Sequence, residues 1–372
     1  MLTHFDDYLV HQTADPVAHP GSGDRNFYDR YFFNGYDRDG ELFFAVALGL
    51  YPNRRVMDAA VSVLRDGVQH SVHASRLAPL ERGETRVGPI SIEVIEPMRR
   101  FRVTLASNAS GVEAEMLFHS RAQPIEEPRF HRAHEGRVMM DYTRLTQFGS
   151  WEGTITIDGR RHPLARARHI GCRDRSWGIR PVGEREAAAP GPAPQFFWLW
   201  APTQFDDCCA HFDVNEDGEG ARWHAFGSIM PALAPDAPHD AALPAMPSEM
   251  ASVSHDIVWQ PGTRRAKSAR IALTAVGGHT HELSLEPILT FQMLGLGYLH
   301  PEWGHGLWKG ENAVAAERWR VADCAPMDLR HIHVQQLCRV RMGDRVGAGV
   351  LEQLVIGPHA PSGFKSLMDP AA

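Results

Sequence analysis

The chain has 372 residues, 43% hydrophobic and 22% charged, enough for one large core or two ordinary ones, since single cores stop growing near roughly 250 to 300 residues. A net charge of -7 without any concentrated basic tract excludes the electrostatic footprint of a nucleic-acid binder. Neither a basic-then-apolar leader nor an apolar run of the roughly 18 residues needed to cross a bilayer occurs, so no membrane span and a cytoplasmic setting are expected.

In chain order, the first strong signal is the aromatic stretch from Arg25 to Asn53. Leu42 to Leu50 is a nearly continuous apolar strand, and Asp37-Arg38-Asp39-Gly40 supplies a hairpin turn before it. Tyr28, Tyr31 and Asn34 are candidates to line a pocket for an aromatic or polyene ligand, because such pockets are mainly apolar with a few placed polar groups. Residues 58–67 and 311–320 are compatible with either helix or strand. Ile90, Ile92 and Val94, then Phe101, Val103 and Leu105, then Val112, Ala114, Met116 and Phe118 alternate with polar residues, the period of a half-buried strand. Ile155 and Ile157 end at Asp158-Gly159, a hairpin dipeptide.

Residues 171–181, Gly-Cys-Arg-Asp-Arg-Ser-Trp-Gly-Ile-Arg-Pro, crowd charge and an indole between turn-forming residues. Asp174 alternates with Arg173 and Arg175, so it points to the face opposite both. In an apolar barrel mouth beside Trp177, desolvation would raise its pKa and let it deliver a proton at neutral pH. The indole would then stabilise a developing cation, and either arginine could pair an oxyanion or carboxylate. The competing reading is a salt bridge with a packed tryptophan.

Residues 185–195 and 231–249, rich in Pro and Ala, cannot continue a ladder and are expected to be exposed loops. The first marks a boundary near residue 190, separating an N-terminal half, 1–190, from a C-terminal half, 191–372; the second is either a lid or a mobile insertion. Further alternating runs follow, at 196–202, 269–276, 279–287, 331–340 and 346–357. Tyr298, His300, Glu302, Trp303 and His305 form the second concentration of chemistry. His300 or His305 could act as base, Glu302 could orient it, Tyr298 could donate to developing charge and Trp303 could bind substrate. The same residues also suit a turn whose imidazoles cap backbone groups.

His279 and His281, and His331 and His333, have a strand spacing that can converge on one metal ion, but no further ligand is identifiable, and His131 with His134 lacks a zincin glutamate. Neither a metal nor a cofactor is expected. The five cysteines carry no CxxC pattern and read as reduced, partly buried thiols.

An all-β pattern with Asp174, Arg175, Ser176, Trp177 and Gly178 in mid-chain, and residues 297–308 later, resembles the lipocalin-like superfamily that includes hydroxyneurosporene synthase, the carotenoid 1,2-hydratase. Its motif has the form Asp-His-Asn-Trp-Gly; here the His and Asn positions hold Arg175 and Ser176. The resemblance implies two calycin-type antiparallel β-barrels side by side, with the motif where they meet. The expectation is therefore a cofactor-independent lyase of hydratase type, or an isomerase, acting by acid-base chemistry on a hydrophobic terpenoid or phenolic, with homodimerisation possible. The alternatives are a non-catalytic carrier of an apolar ligand and a metal-assisted lyase or hydrolase using the histidine pairs.

Overall fold

A computed structural model describes residues 1–185, 191 and 193–372. Most of the stretch expected to mark the boundary, 186–190 and 192, lies outside the described residues. The architecture is all-β: two large curled antiparallel sheets, the expected lipocalin-like pair.

The first sheet runs, neighbour to neighbour, Ala313–Arg320, Val68–Leu77, Val56–Arg65, Leu42–Tyr51, Phe27–Asp37, His169–Ile179, Arg137–Ile157, Val112–Ser120, Arg100–Leu105, Ile90–Glu96 and Arg86–Val87. It curls until Arg86–Val87 returns against Val56–Arg65 and Val68–Leu77. The second runs Ser248–Glu249, Arg222–Pro231, Cys208–Glu216, Phe196–Trp200, Arg345–Ile356, Val334–Met342, Thr280–Gln292, Ala266–Thr274 and Ser252–Trp259. Its ends meet where the Met250 amide donates to the Gly227 carbonyl at 2.9 Å. The late strand Ala313–Arg320 pairs with Val68–Leu77, so one segment from beyond residue 190 completes the edge of the first sheet. Residues 58–67 and 311–320, ambiguous by pattern, are thus resolved mainly into strands.

Among the described residues, the three largest apolar clusters explain the sequence pattern. Phe33, Phe44, Phe118 and Trp151 fill the first barrel, and Phe197, Phe212, Leu285 and Leu351 the second. A third cluster lies between the sheets, with Phe32, Phe43, Phe148 and Cys172 meeting Trp200, Cys209, Phe291 and Val350. Leu42–Tyr51 is continuously apolar because both of its faces are buried: Phe44, Val46 and Leu48 enter the barrel while Phe43, Ala45 and Ala47 enter the seam. Asp158 and Gly159, at φ 48° and 79°, form the expected tight hairpin turn. All five cysteines are free and buried.

Polar ties cross the seam. Asn34 donates to Gln335 Oε1 at 3.1 Å and accepts the Cys172 amide at 2.9 Å. Fully buried Arg121 donates to Gln204 and to the carbonyls of Phe205, Asp206 and Leu233. Segment 231–249 is tied down as well: Ser150 donates to the Pro235 carbonyl at 2.7 Å, and Arg99 to those of His239 and Ala241.

Candidate active site at the seam between the sheets

The register of three neighbouring strands builds one wall of the site. Tyr28, Gly178 and Tyr142 lie abreast; the next row holds Arg30, Ser176 and Arg144, and the next Phe32, Asp174 and Thr146. These rows face the seam because their strands alternate, Cys172 and Phe32 on the same face belonging to the inter-sheet cluster. Gly178 is required between the two tyrosines, since at φ 136° an added Cβ would meet the Asp141 carbonyl at 2.3 Å and Tyr142 Cα at 2.6 Å.

Beside this wall lies a cavity of about 450 Å³, lined by Tyr142, Arg144 and Arg180 from the first sheet and by Phe196, Trp198, His333, Glu352, Leu354 and Ile356 from the second. Its remaining wall is the loop carrying Tyr298, His300 and His305. Gly297 permits that loop, because at φ 91° a Cβ would lie 2.5 Å from the Trp303 carbonyl.

Tyr298 Oη accepts from Arg30 Nη1 at 2.7 Å, which leaves the phenolic proton free to be donated elsewhere. The His305 ring stands between two guanidiniums, Nε2 at 2.9 Å from Arg30 and Nδ1 at 3.3 Å from Arg180. Burial, then these two cations, push its pKa well below the usual histidine range, so it stays neutral and is a poor base. His300 is spent on structure: Nδ1 accepts the amides of Glu302 and Trp303 at 3.0 and 2.9 Å, and Nε2 meets Glu317 at 2.9 Å. Glu302 is exposed, and Trp303 stacks on His73 at 5.6 Å behind the loop.

Asp174 lies on the seam face, one row from Arg30 and Arg144, and outside the immediate lining of the cavity. Burial raises its carboxyl pKa, opposed by the charges of Arg144 and Arg30. The structure does not bring it together with Trp177, which is 40% exposed on the other face with Arg173 and Arg175. Arg175 pairs with Asp29 at 2.6 Å and covers the Tyr31 ring at 4.0 Å, whereas Arg173 donates to Gln147 and lies 4.2 Å over Phe101, burial lowering its pKa to about 10. Tyr28 is fully buried under Arg180, whose Cζ is 4.5 Å from its ring centroid, and burial pushes its hydroxyl up to about 12. Tyr31 turns to the first barrel, and Asn34 pins the sheets deeper in the seam, so these three do not share a pocket.

Several residues at the site escaped the sequence reading. Arg144 donates through Nε to Glu127 at 2.7 Å and through Nη2 to Asp213 at 3.0 Å, and lies over the Phe130 and Trp198 rings at 4.8 and 4.9 Å. His211 and His224 contact Asp213 at 3.1 and 2.8 Å. Glu352 receives His333 at 2.8 Å, Gln335 at 2.6 Å and Trp198 at 3.1 Å; burial alone would raise its pKa, but these donors hold it below the usual range. A usable signal was present: Arg30 alternates in register with Tyr28 and Phe32, and Arg144 with Tyr142 and Phe148, so each puts a charge on an apolar face.

Among the described residues, two clusters have metal-like donor sets, His73 with His300 and Glu317, and Glu127 with His211 and Asp213. In the first, His300 Nδ1 accepts two amides, so its Nε2 carries the proton and points it at Glu317. In the second, the Arg144 guanidinium already bridges the carboxylates. The paired histidines fare differently: His279 and His281 keep their rings 4.5 Å apart on an outer hairpin, with no third donor beside them among the described residues, while His331 ends a turn and His333 faces the cavity, so that pair diverges.

Fold and site together define an all-β, lipocalin-like protein with a ligand-sized cavity between its two sheets. The chain belongs to DUF8625, a family of unknown function whose model matches residues 2–365. No curated protein sequence matches it. Its fold is similar to that of an AttH-type protein from Nitrosomonas europaea, at 13% identity and a TM-score of 0.51, covering 88% of this chain and 92% of the other. It is also similar to kievitone hydratase from Nectria haematococca, at 12% identity and a TM-score of 0.52, covering 88% of each chain. The expected lipocalin-like relationship therefore holds at the level of fold.

Proposed function

We propose that the protein is a cofactor-independent lyase of the hydratase type, or an isomerase, acting by proton transfer on a hydrophobic terpenoid or phenolic small molecule. The observation that carries this reading is the seam cavity, where apolar walls of Phe196, Trp198, Leu354 and Ile356 face Tyr298 and His333. Tyr298 keeps its proton available because its oxygen already accepts from Arg30. His333 orients Nε2 on Glu352, while its buried Nδ1 has no partner and can take a proton. His333 thus replaces His300 and His305 in the role of base. Asp174, one row deeper and outside the lining, is a positioning group that acts on the guest through the charges of Arg30 and Arg144. Water addition, its reverse and double-bond migration each need only a donor, an acceptor and an apolar enclosure. A relative of the same fold is a hydratase by name, which accords with this reading without supplying a substrate.

The test is incubation with a panel of terpenoid alkenes and plant-type phenolics in deuterated water, read by mass spectrometry for gain or loss of water or for deuterium exchange. Turnover by the wild type that is lost in Tyr298→Phe, His333→Gln or Asp174→Asn is expected. Tight binding in the cavity with no exchange in any panel member would leave a carrier instead.

A further inference from the structure

The guanidiniums around the cavity are unequally matched. Arg144 is held by Glu127 and Asp213 through Nε and Nη2, but its Nη1 takes part in neither contact. Arg180 has no carboxylate within ion-pair distance among the described residues; its Nη2 approaches the neutral His305 at 3.3 Å, and its buried Nε has no acceptor. Glu352, the carboxylate that also lines the cavity, has its oxygens taken by His333, Trp198 and Gln335. An arginine keeps its charge under all ordinary conditions, and its planar fork suits a carboxylate-like oxyanion.

We propose that the cavity selects a small molecule carrying one anionic oxygen group, seated against Arg180 and Arg144 with the Tyr298 hydroxyl beside it, and an apolar body along Phe196, Trp198, Leu354 and Ile356. The proposal rests on the cavity being the small-molecule site described above and narrows its substrate class. The cation is supplied by the wall and the anion by the guest. In the proposed chemistry the same guanidiniums would hold a carboxylate, enolate or phenolate in register with Tyr298 and His333.

The probes are 8-anilinonaphthalene-1-sulfonate and N-phenyl-1-naphthylamine, which differ only in the sulfonate, titrated by fluorescence at low salt. The wild type should bind the sulfonate about tenfold more tightly than the neutral probe, as one charge-assisted contact allows. Arg180→Gln should weaken the sulfonate about tenfold and leave the neutral probe within about twofold, and Arg180→Lys should keep part of the preference. Leu354→Trp, which fills the cavity, should remove both probes. Equal affinity for the two probes, or a preference that survives Arg180→Gln, overturns the anion proposal while leaving the cavity as the binding site. Failure of both probes to bind, or binding of both that is indifferent to Leu354→Trp, overturns the reading of the cavity as well. Circular dichroism of each variant separates misfolding from lost contact, and Arg180→Lys retains a readout if Arg180→Gln does not fold.

Discussion

Asp58 holds the loop that closes the cavity: its Oδ2 accepts the Gly306 amide at 2.7 Å, while Oδ1 receives the Tyr51 hydroxyl at 3.2 Å. Gly306 immediately follows His305 and lies eight residues beyond Tyr298, so one carboxyl on the strand Val56–Arg65 positions both. Burial raises that carboxyl to about 6, against the lowering effect of the Gly306 amide and Arg30.

This arrangement sets a pH dependence of stability. The folded value, about 6, lies above the ordinary 3.8, so between these two values the native state binds more protons than the unfolded chain. Stability contributed by this group is complete below the lower value, falls as pH rises through the window, and is level above it, by up to about 3 kcal/mol. Asp58→Asn keeps an acceptor for Gly306 and removes the charge. Urea denaturation of wild type and variant at pH 4 and pH 7 should show the variant losing less stability over that interval. Equal losses would mean that Asp58 titrates as an exposed carboxyl.

Arg144 is the cation of a buried cluster with Glu127 and Asp213, both fully buried. Arg144→Met leaves two carboxyls without their counter-ion and should cost about 3 to 5 kcal/mol in urea denaturation. Adding Glu127→Gln should recover part of the loss, because burial already raises the Glu127 carboxyl well above its usual range against the pull of Arg144, and the amide needs no cation. A single variant within about 0.5 kcal/mol of wild type would show that the cluster contributes no net stability.

Trp177 stands on the first-barrel face of the strand His169–Ile179, with Arg173 and Arg175, opposite Asp174 and 40% exposed. Trp177→Ala should therefore leave probe affinity in the seam cavity within about twofold and cost no more than about 1 kcal/mol. Fluorescence titration and thermal denaturation check the two parts separately. A large loss of affinity with intact stability would bring the indole into the ligand site after all.

What the sequence determined by itself was local and periodic. Alternation in Val112 to Phe118 identified one strand, Asp158-Gly159 identified the hairpin between Arg137–Ile157 and Arg160–Leu164, and the density of such strands with the mid-chain motif pointed to paired lipocalin-like barrels. The same alternation put Asp174 on the face opposite Arg173 and Arg175, and it also carries Trp177 to that opposite face, since three steps along a strand change sides. Tertiary structure decided which distant strands share a wall. Arg30, Ser176 and Arg144 become neighbours through sheet register, His333 and Glu352 meet Tyr298 only because a second sheet faces the first, and Ala313–Arg320 crosses to complete the first sheet's edge. Period-2 patterning records which side of its own strand a residue occupies; it carries no information on what lies across the gap, and the partners of a buried charge are chosen there.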